Sequence, residues 1–146
     1  MASCFSYHEQ FFYVSNQRFD SLMDFGLEVA NKGPATEVEL VYISKLIERK
    51  GSFYPGYDFA IEREFPSRNE RKFWARIFFD LAHLIFQRQI GNQGATFWQY
   101  SAVGDAYLLG RMITRSVQDE EPGWHPKTLA SIEAEAFYGK GVNVNL

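Results

Sequence analysis

The chain has 146 residues, of which 46% are hydrophobic and 17% aromatic, and this aromatic content excludes a disordered chain. The formal net charge is −3. Residues 1–66 carry ten acidic and six basic side chains, and residues 96–146 carry six acidic and four basic ones, so both regions are acidic. Residues 67–95 are basic, with two acidic and five basic side chains. A mildly acidic chain gives no electrostatic basis for nucleic-acid binding, so we expect a basic partner instead.

The first half of the chain predicts two helices, over residues 16–31 and 36–51, each ended by a glycine. The second helix opens with a capping-box pattern, a Thr three residues before a Glu. Two short apolar segments, 10–14 and 59–65, are too brief for periodicity to distinguish a strand from a helical turn or an irregular connector.

The second half predicts three further helices, over residues 67–91, 96–118 and 126–138. Capping-box patterns open the first two, and a proline stands at the first position of the third. Short connections favour antiparallel neighbours. The sequence therefore predicts one all-α domain over residues 1–146, an antiparallel bundle of about five helices with at most one short two-stranded element.

Apolar side chains surround most of the predicted helix 67–91, which indicates a central helix. The remaining strip carries Arg76, Asp80, His83 and Gln87. In one hypothesis Asp80 orients His83 as a general base or metal ligand, the basis of a small metal-binding or hydrolytic enzyme. The other hypothesis is a solvated face with an Arg76–Asp80 ion pair. The second carboxylate-x-x-His motif of a di-iron bundle is missing, which favours the structural hypothesis.

Asp105 falls among the apolar residues of the predicted helix 96–118, and Arg88 falls among those of the preceding helix. A carboxylate in an apolar surrounding is costly unless it is paired or protonated. We therefore expect Asp105 to be buried in an ion pair, for which Arg88 is within reach, or to cap a neighbouring helix. A partner-facing acid is the alternative.

Two turns combine aromatic and acidic side chains, the segment SFYPGYD and the segment DEEPGW. Aromatic side chains dominate the hot spots of protein interfaces, and complementary charge accelerates association. An alternative role for these rings is to cover the ends of the bundle. The candidate partner-binding residues are Tyr54, Tyr57, Asp58, Asp119, Glu120, Glu121 and Trp124.

The remaining motifs indicate no catalysis, no metal and no cofactor. Cys4 is the only cysteine, which excludes an intrachain disulfide and a multi-cysteine metal site. The sequence lacks a secretory signal and any run of roughly 18 apolar residues, so we expect a cytoplasmic protein without membrane contact.

In its FYPGYDF loop, its FW…IGNQ…WQY helical hairpin and its EEPGW turn, the chain resembles the immunity proteins of bacterial polymorphic and contact-dependent inhibition toxins. That resemblance implies a protein that binds one cognate toxin domain, often a basic nuclease, and blocks it. We predict such a binding protein, of undetermined oligomeric state. The alternatives are the Asp80/His83 enzyme and a helical regulatory module that holds a small apolar ligand.

Overall fold

A computed structural model describes residues 2–87 and 97–139, with residues 97–100 described by their backbone alone. The elements in chain order are β1 (Ala2–Tyr7), β2 (Gln10–Ser15), α1 (Asn16–Lys32), α2 (Glu37–Lys50), β3 (Asp58–Ala60), α3 (Ile61–Glu64), α4 (Arg68–Phe86), α5 (Phe97–Gln118) and α6 (Leu129–Tyr138). The all-α prediction is wrong, because these residues form a three-stranded sheet as well as helices.

The sheet has the strand order β2-β1-β3, with β1 antiparallel to β2 and parallel to β3. Along β1, every second side chain is buried, at Ser3, Phe5 and Tyr7. Phe5 lies opposite Phe12 of β2 and beside Phe59 of β3, so the central strand buries an aromatic ring among its neighbours. This period-two alternation places β1 in the sheet.

Both segments that periodicity left undecided are ordered elements of the fold. Residues 10–14 lie within β2, and residues 59–65 divide between the end of β3 and the four-residue helix α3. β3 is only three residues long and is paired with a strand more than fifty positions earlier in the chain. No local pattern in such a short segment could have identified it as a strand.

The predicted helices 16–31 and 36–51 are confirmed by α1 and α2, and the capping box of α2 is complete. The helix predicted over 67–91 begins as expected after Ser67 and ends at Phe86, while its glycine stop lies outside the described residues. The predicted start of α5 also lies outside them. The last helix was predicted to begin at Pro126, but it begins at Leu129, after the capping residue Thr128.

The prediction that α4 is the central helix is confirmed. It packs against α1, α2, α5 and α6. A row of aromatic rings joins it to the sheet, with centroid distances of 5.4 Å from Phe5 to Phe59, 5.4 Å from Phe59 to Phe65, and 5.5 Å from Phe65 to Trp74. All four rings are buried, so sheet and helices share one core. Within the described ranges, no helix is long and apolar enough to cross a membrane.

Candidate binding groove

The acidic turn after α5 is held against the first turns of α4. Arg71 donates a hydrogen bond to Glu120, with 2.5 Å between Nη2 and Oε2, and the Lys72 ammonium lies 2.5 Å from Oε2 of Glu121. The same ammonium lies 5.7 Å from the centroid of the Trp124 ring. The hydrogen bond from Lys72 lowers the pKa of Glu121. The basic start of α4 and the acidic turn therefore neutralise each other.

Asp119 ties the same turn to the sheet. The phenol of Tyr7 at the end of β1 donates a hydrogen bond to its carboxylate. Burial of Tyr7, together with this hydrogen bond, raises the pKa of the phenol. Each of the three acids of the predicted partner-binding turn thus has a partner within the chain. The turn after α5 therefore connects that helix to β1 and to α4.

The second predicted binding segment, the loop before β3, is anchored by a buried acid. Glu64 is fully buried and accepts a hydrogen bond from the Tyr57 phenol, with 2.6 Å between the oxygens. Arg49 at the end of α2 binds both the carboxylate and the carbonyl of Glu64. Asp58 and Tyr54 remain exposed, Tyr54 by 61%. No signal in the sequence distinguished Glu64 from an ordinary surface acid.

The polar strip of α4 faces α6. Asp80 is only 5% exposed and accepts a hydrogen bond from the backbone N–H of Leu129, at 2.7 Å. Burial raises the pKa of Asp80 to about 6, although this hydrogen bond and the charge of Arg76 oppose the shift. His83 Nε2 lies 2.9 Å from a carboxylate oxygen of Glu133. Both members of the candidate catalytic pair are therefore engaged in holding α6.

The remainder of the strip also makes contacts between helices. Arg76 pairs with Glu39 of α2 at 3.3 Å, rather than with Asp80 as the solvated-face hypothesis expected. Gln87 donates a hydrogen bond to Glu133 over 3.2 Å. The described residues contain no group of three His, Cys, Asp or Glu side chains that could hold a metal ion. The strip is best described as a polar seam between α4 and its neighbours.

Asp105 forms the buried ion pair that the sequence predicted, but its partner is on α1. Its side chain is 5% exposed, and the Arg18 guanidinium binds both carboxylate oxygens, with 2.8 Å between Nε and Oδ2. This hydrogen-bonded pair raises the pKa of Arg18. Arg88, the partner considered from the sequence, lies outside the described residues. The pair fixes α5 against the start of α1.

A groove of about 1030 Å³ lies beside this framework, between β2, α5 and the segment that leads into α6. Its walls combine aromatic and cationic side chains. Its lining residues include Phe11, Tyr107, Arg111, Thr114, Arg115 and Lys127.

The groove is more basic than the rest of the chain. Arg111 and Arg115 lie one helical turn apart on α5, and Lys127 comes from the segment before α6. None of these three cations forms an ion pair with a described residue. Two acids also line the groove, Asp119, which binds Tyr7, and Glu135. Sequence reasoning missed this surface because its walls come from opposite ends of the chain.

Comparison of the chain with protein-family models, with curated proteins and with solved structures finds no match.

Proposed function

We propose that this chain is a non-catalytic binding protein that recognises a protein partner, in the manner of an immunity protein that neutralises a toxin domain. Its cytoplasmic location belongs to the same proposal, since a neutralising protein must meet its partner there. The observation that carries the proposal is the exposed aromatic face of β2, where Phe11 is 59% and Tyr13 is 63% exposed.

The position of β2 supports a role in recognition. β2 is an edge strand of the described sheet, so one side of its backbone has no strand partner there. Phe11 and Tyr13 stand on the same face, with ring centroids 5.4 Å apart. The unpaired backbone groups of an edge strand can form hydrogen bonds with a strand of another chain, and exposed rings add apolar contact area. Proteins often protect such edges unless a partner uses them. Gln10 and Phe11 also line the groove, which makes strand and groove one continuous surface.

The acidic turn is a weaker candidate for the recognition surface than the sequence suggested. Glu120 and Glu121 remain partly exposed, by 50% and 41% of their side chains, but each carboxylate already binds a cation of α4. A partner would have to compete with these intramolecular pairs. The proposed recognition surface is therefore β2 and the groove.

The test is capture of a partner by the tagged chain from the cells that produce it. We expect one dominant protein to be retained by the wild type and lost by the double variant Phe11→Ser/Tyr13→Ser. The matched control is Leu40→Ser/Ile47→Ser, because these side chains of α2 are 52% and 51% exposed and do not line the groove. It should retain the partner.

Neutralisation is then tested by expressing the captured protein with and without this chain. Growth arrest by the partner alone, relieved by co-expression of the wild type but not of the β2 variant, would support the proposal. Failure of the wild type to retain a dominant protein, or equal retention by the β2 variant, would overturn it.

A further inference from the structure

We infer that the groove binds an acidic, extended peptide segment of the partner, an inference that rests on the proposed function. The first argument is the spacing of its cations. Side chains one turn apart on a helix, such as Arg111 and Arg115, lie roughly 6 Å apart at their Cβ atoms. Alternate residues of an extended strand are separated by nearly the same distance, about 6.6 Å. Two carboxylates in a Glu-x-Glu pattern therefore match the two guanidinium groups.

The two arginines are available for such a ligand. Both are exposed, and neither is paired with an acid among the described residues. The Arg111 guanidinium lies 5.8 Å from the centroid of the Tyr107 ring, which limits its freedom before binding. A guanidinium group binds a carboxylate through two parallel hydrogen bonds, which gives both strength and orientation.

The rest of the groove suits the residues that lie between the acids of the peptide. Phe11 and Leu108 expose apolar surface at its walls, Leu108 by 47%.

The charge distribution favours a peptide over a nucleic acid. Asp119 and Glu135 line the groove together with its cations, and the whole chain carries a formal charge of −3. A polyphosphate backbone needs a continuous basic surface, because its affinity depends on the number of phosphates that are neutralised. A short acidic peptide needs only the local cluster formed by Arg111, Arg115 and Lys127.

The inference is tested by fluorescence anisotropy with a labelled peptide of alternating Glu and Val. Matched probes are the Gln/Val peptide, the Lys/Val peptide and a single-stranded oligonucleotide. We expect the full chain to bind the Glu/Val peptide in preference to all three. Arg111→Gln and Arg115→Gln should each raise the Kd by about tenfold, because each removes a charge-assisted pair.

The control is Arg68→Gln, which removes an exposed arginine that does not line the groove. It should leave the Kd within about twofold, and circular dichroism checks that each variant is folded. Equal binding of the Gln/Val peptide, tighter binding of the oligonucleotide, or an equal effect of Arg68→Gln would overturn the inference.

Peptide binding and partner capture together distinguish this inference from the proposed function. If the acidic peptide fails to bind while partner capture still depends on β2, the anionic ligand is wrong and the proposed function stands. If the peptide binds but no partner is captured, the proposed function fails, and only the preference of the groove for acidic peptides stands.

Discussion

The carboxylate of Asp80 accepts a hydrogen bond from the backbone N–H of Leu129, so a side chain of α4 caps the first residue of α6. Thr128, the residue just before this helix, caps it as well, because its hydroxyl accepts a hydrogen bond from the backbone N–H of Ser131. The first amides of a helix have no partner inside it, and the two side chains satisfy two of them. His83 adds a contact to Glu133 one turn further along α6. The seam on α4 thus determines where the last described helix lies.

The Asp80 cap should make stability depend on pH. Burial raises the pKa of Asp80 from 3.8 to about 6, so the folded chain takes up this proton at a higher pH than the unfolded chain. The contribution of Asp80 to the free energy of unfolding therefore decreases as the pH rises from about 4 to about 6, and is constant above that. The substitution Asp80→Asn keeps a side-chain oxygen that can accept the hydrogen bond from the Leu129 N–H, and it removes the charge of the carboxylate.

We predict that Asp80→Asn removes this slope and raises the free energy of unfolding at pH 7 by about 1–2 kcal/mol. Urea unfolding at a series of pH values measures both quantities. The control is Asp20→Asn, at an exposed position of α1, which should keep the wild-type slope. An Asp80→Asn variant with the same pH dependence as the wild type would contradict the prediction.

The Arg18–Asp105 pair should contribute far more to stability than a surface pair. Arg18→Met leaves a carboxylate that is 5% exposed without its partner, which should lower the free energy of unfolding by about 3 kcal/mol. The control is Lys32→Met, which breaks the exposed pair with Glu28 and should cost less than about 0.5 kcal/mol. Adding Asp105→Asn to Arg18→Met should recover part of the loss. Chemical denaturation measures all of these values, and equal costs for the two single variants would rule out the assigned role.

The Tyr57–Glu64 hydrogen bond assigns Tyr57 to the fold rather than to a partner. Tyr57→Phe should lower the free energy of unfolding by about 1–2 kcal/mol, because a fully buried carboxylate loses one of its donors. Tyr54→Phe, at a position that is 61% exposed, should change it by less than about 0.5 kcal/mol. Thermal unfolding compares the two variants. The assignment would fail if Tyr57→Phe were as stable as Tyr54→Phe and instead weakened partner capture.

Gly26 and Gly104 should respond in opposite directions to the same substitution. A Cβ atom at Gly26 on α1 would lie 2.7 Å from Cε1 of the buried Phe78 ring, so Gly26→Ala should cost about 1–3 kcal/mol. A Cβ atom at Gly104 on α5 would meet no described atom within 4 Å. Gly104→Ala should therefore gain up to about 1 kcal/mol from helix propensity. The unfolding midpoints in urea test both, and stabilisation by Gly26→Ala would show that α1 and α4 are not closely packed there.

Local patterns identified much of the helical framework. The ranges of α1 and α2 follow from apolar periodicity and end signals, and the broad apolar surface of α4 marked it as the central helix. These patterns depend on residues within a few turns of one another, so a sequence reveals them directly. The expectation that Asp105 must be paired also needed no structure, because burying an unpaired charge is costly in any fold.

Tertiary structure decided which strands pair, which charged residues are buried or paired, and where the groove forms. β3 is a strand because it pairs with β1, and Asp105 is held by Arg18 rather than by a residue of the preceding helix. Burial of Glu64 and of Asp80 likewise depends on elements that are distant in the chain. The sequence determined most of the longer helices and the need of Asp105 for a partner. Only the packing decided which charges meet and which remain free, because the energy of a charged group depends on neighbours that distant segments supply.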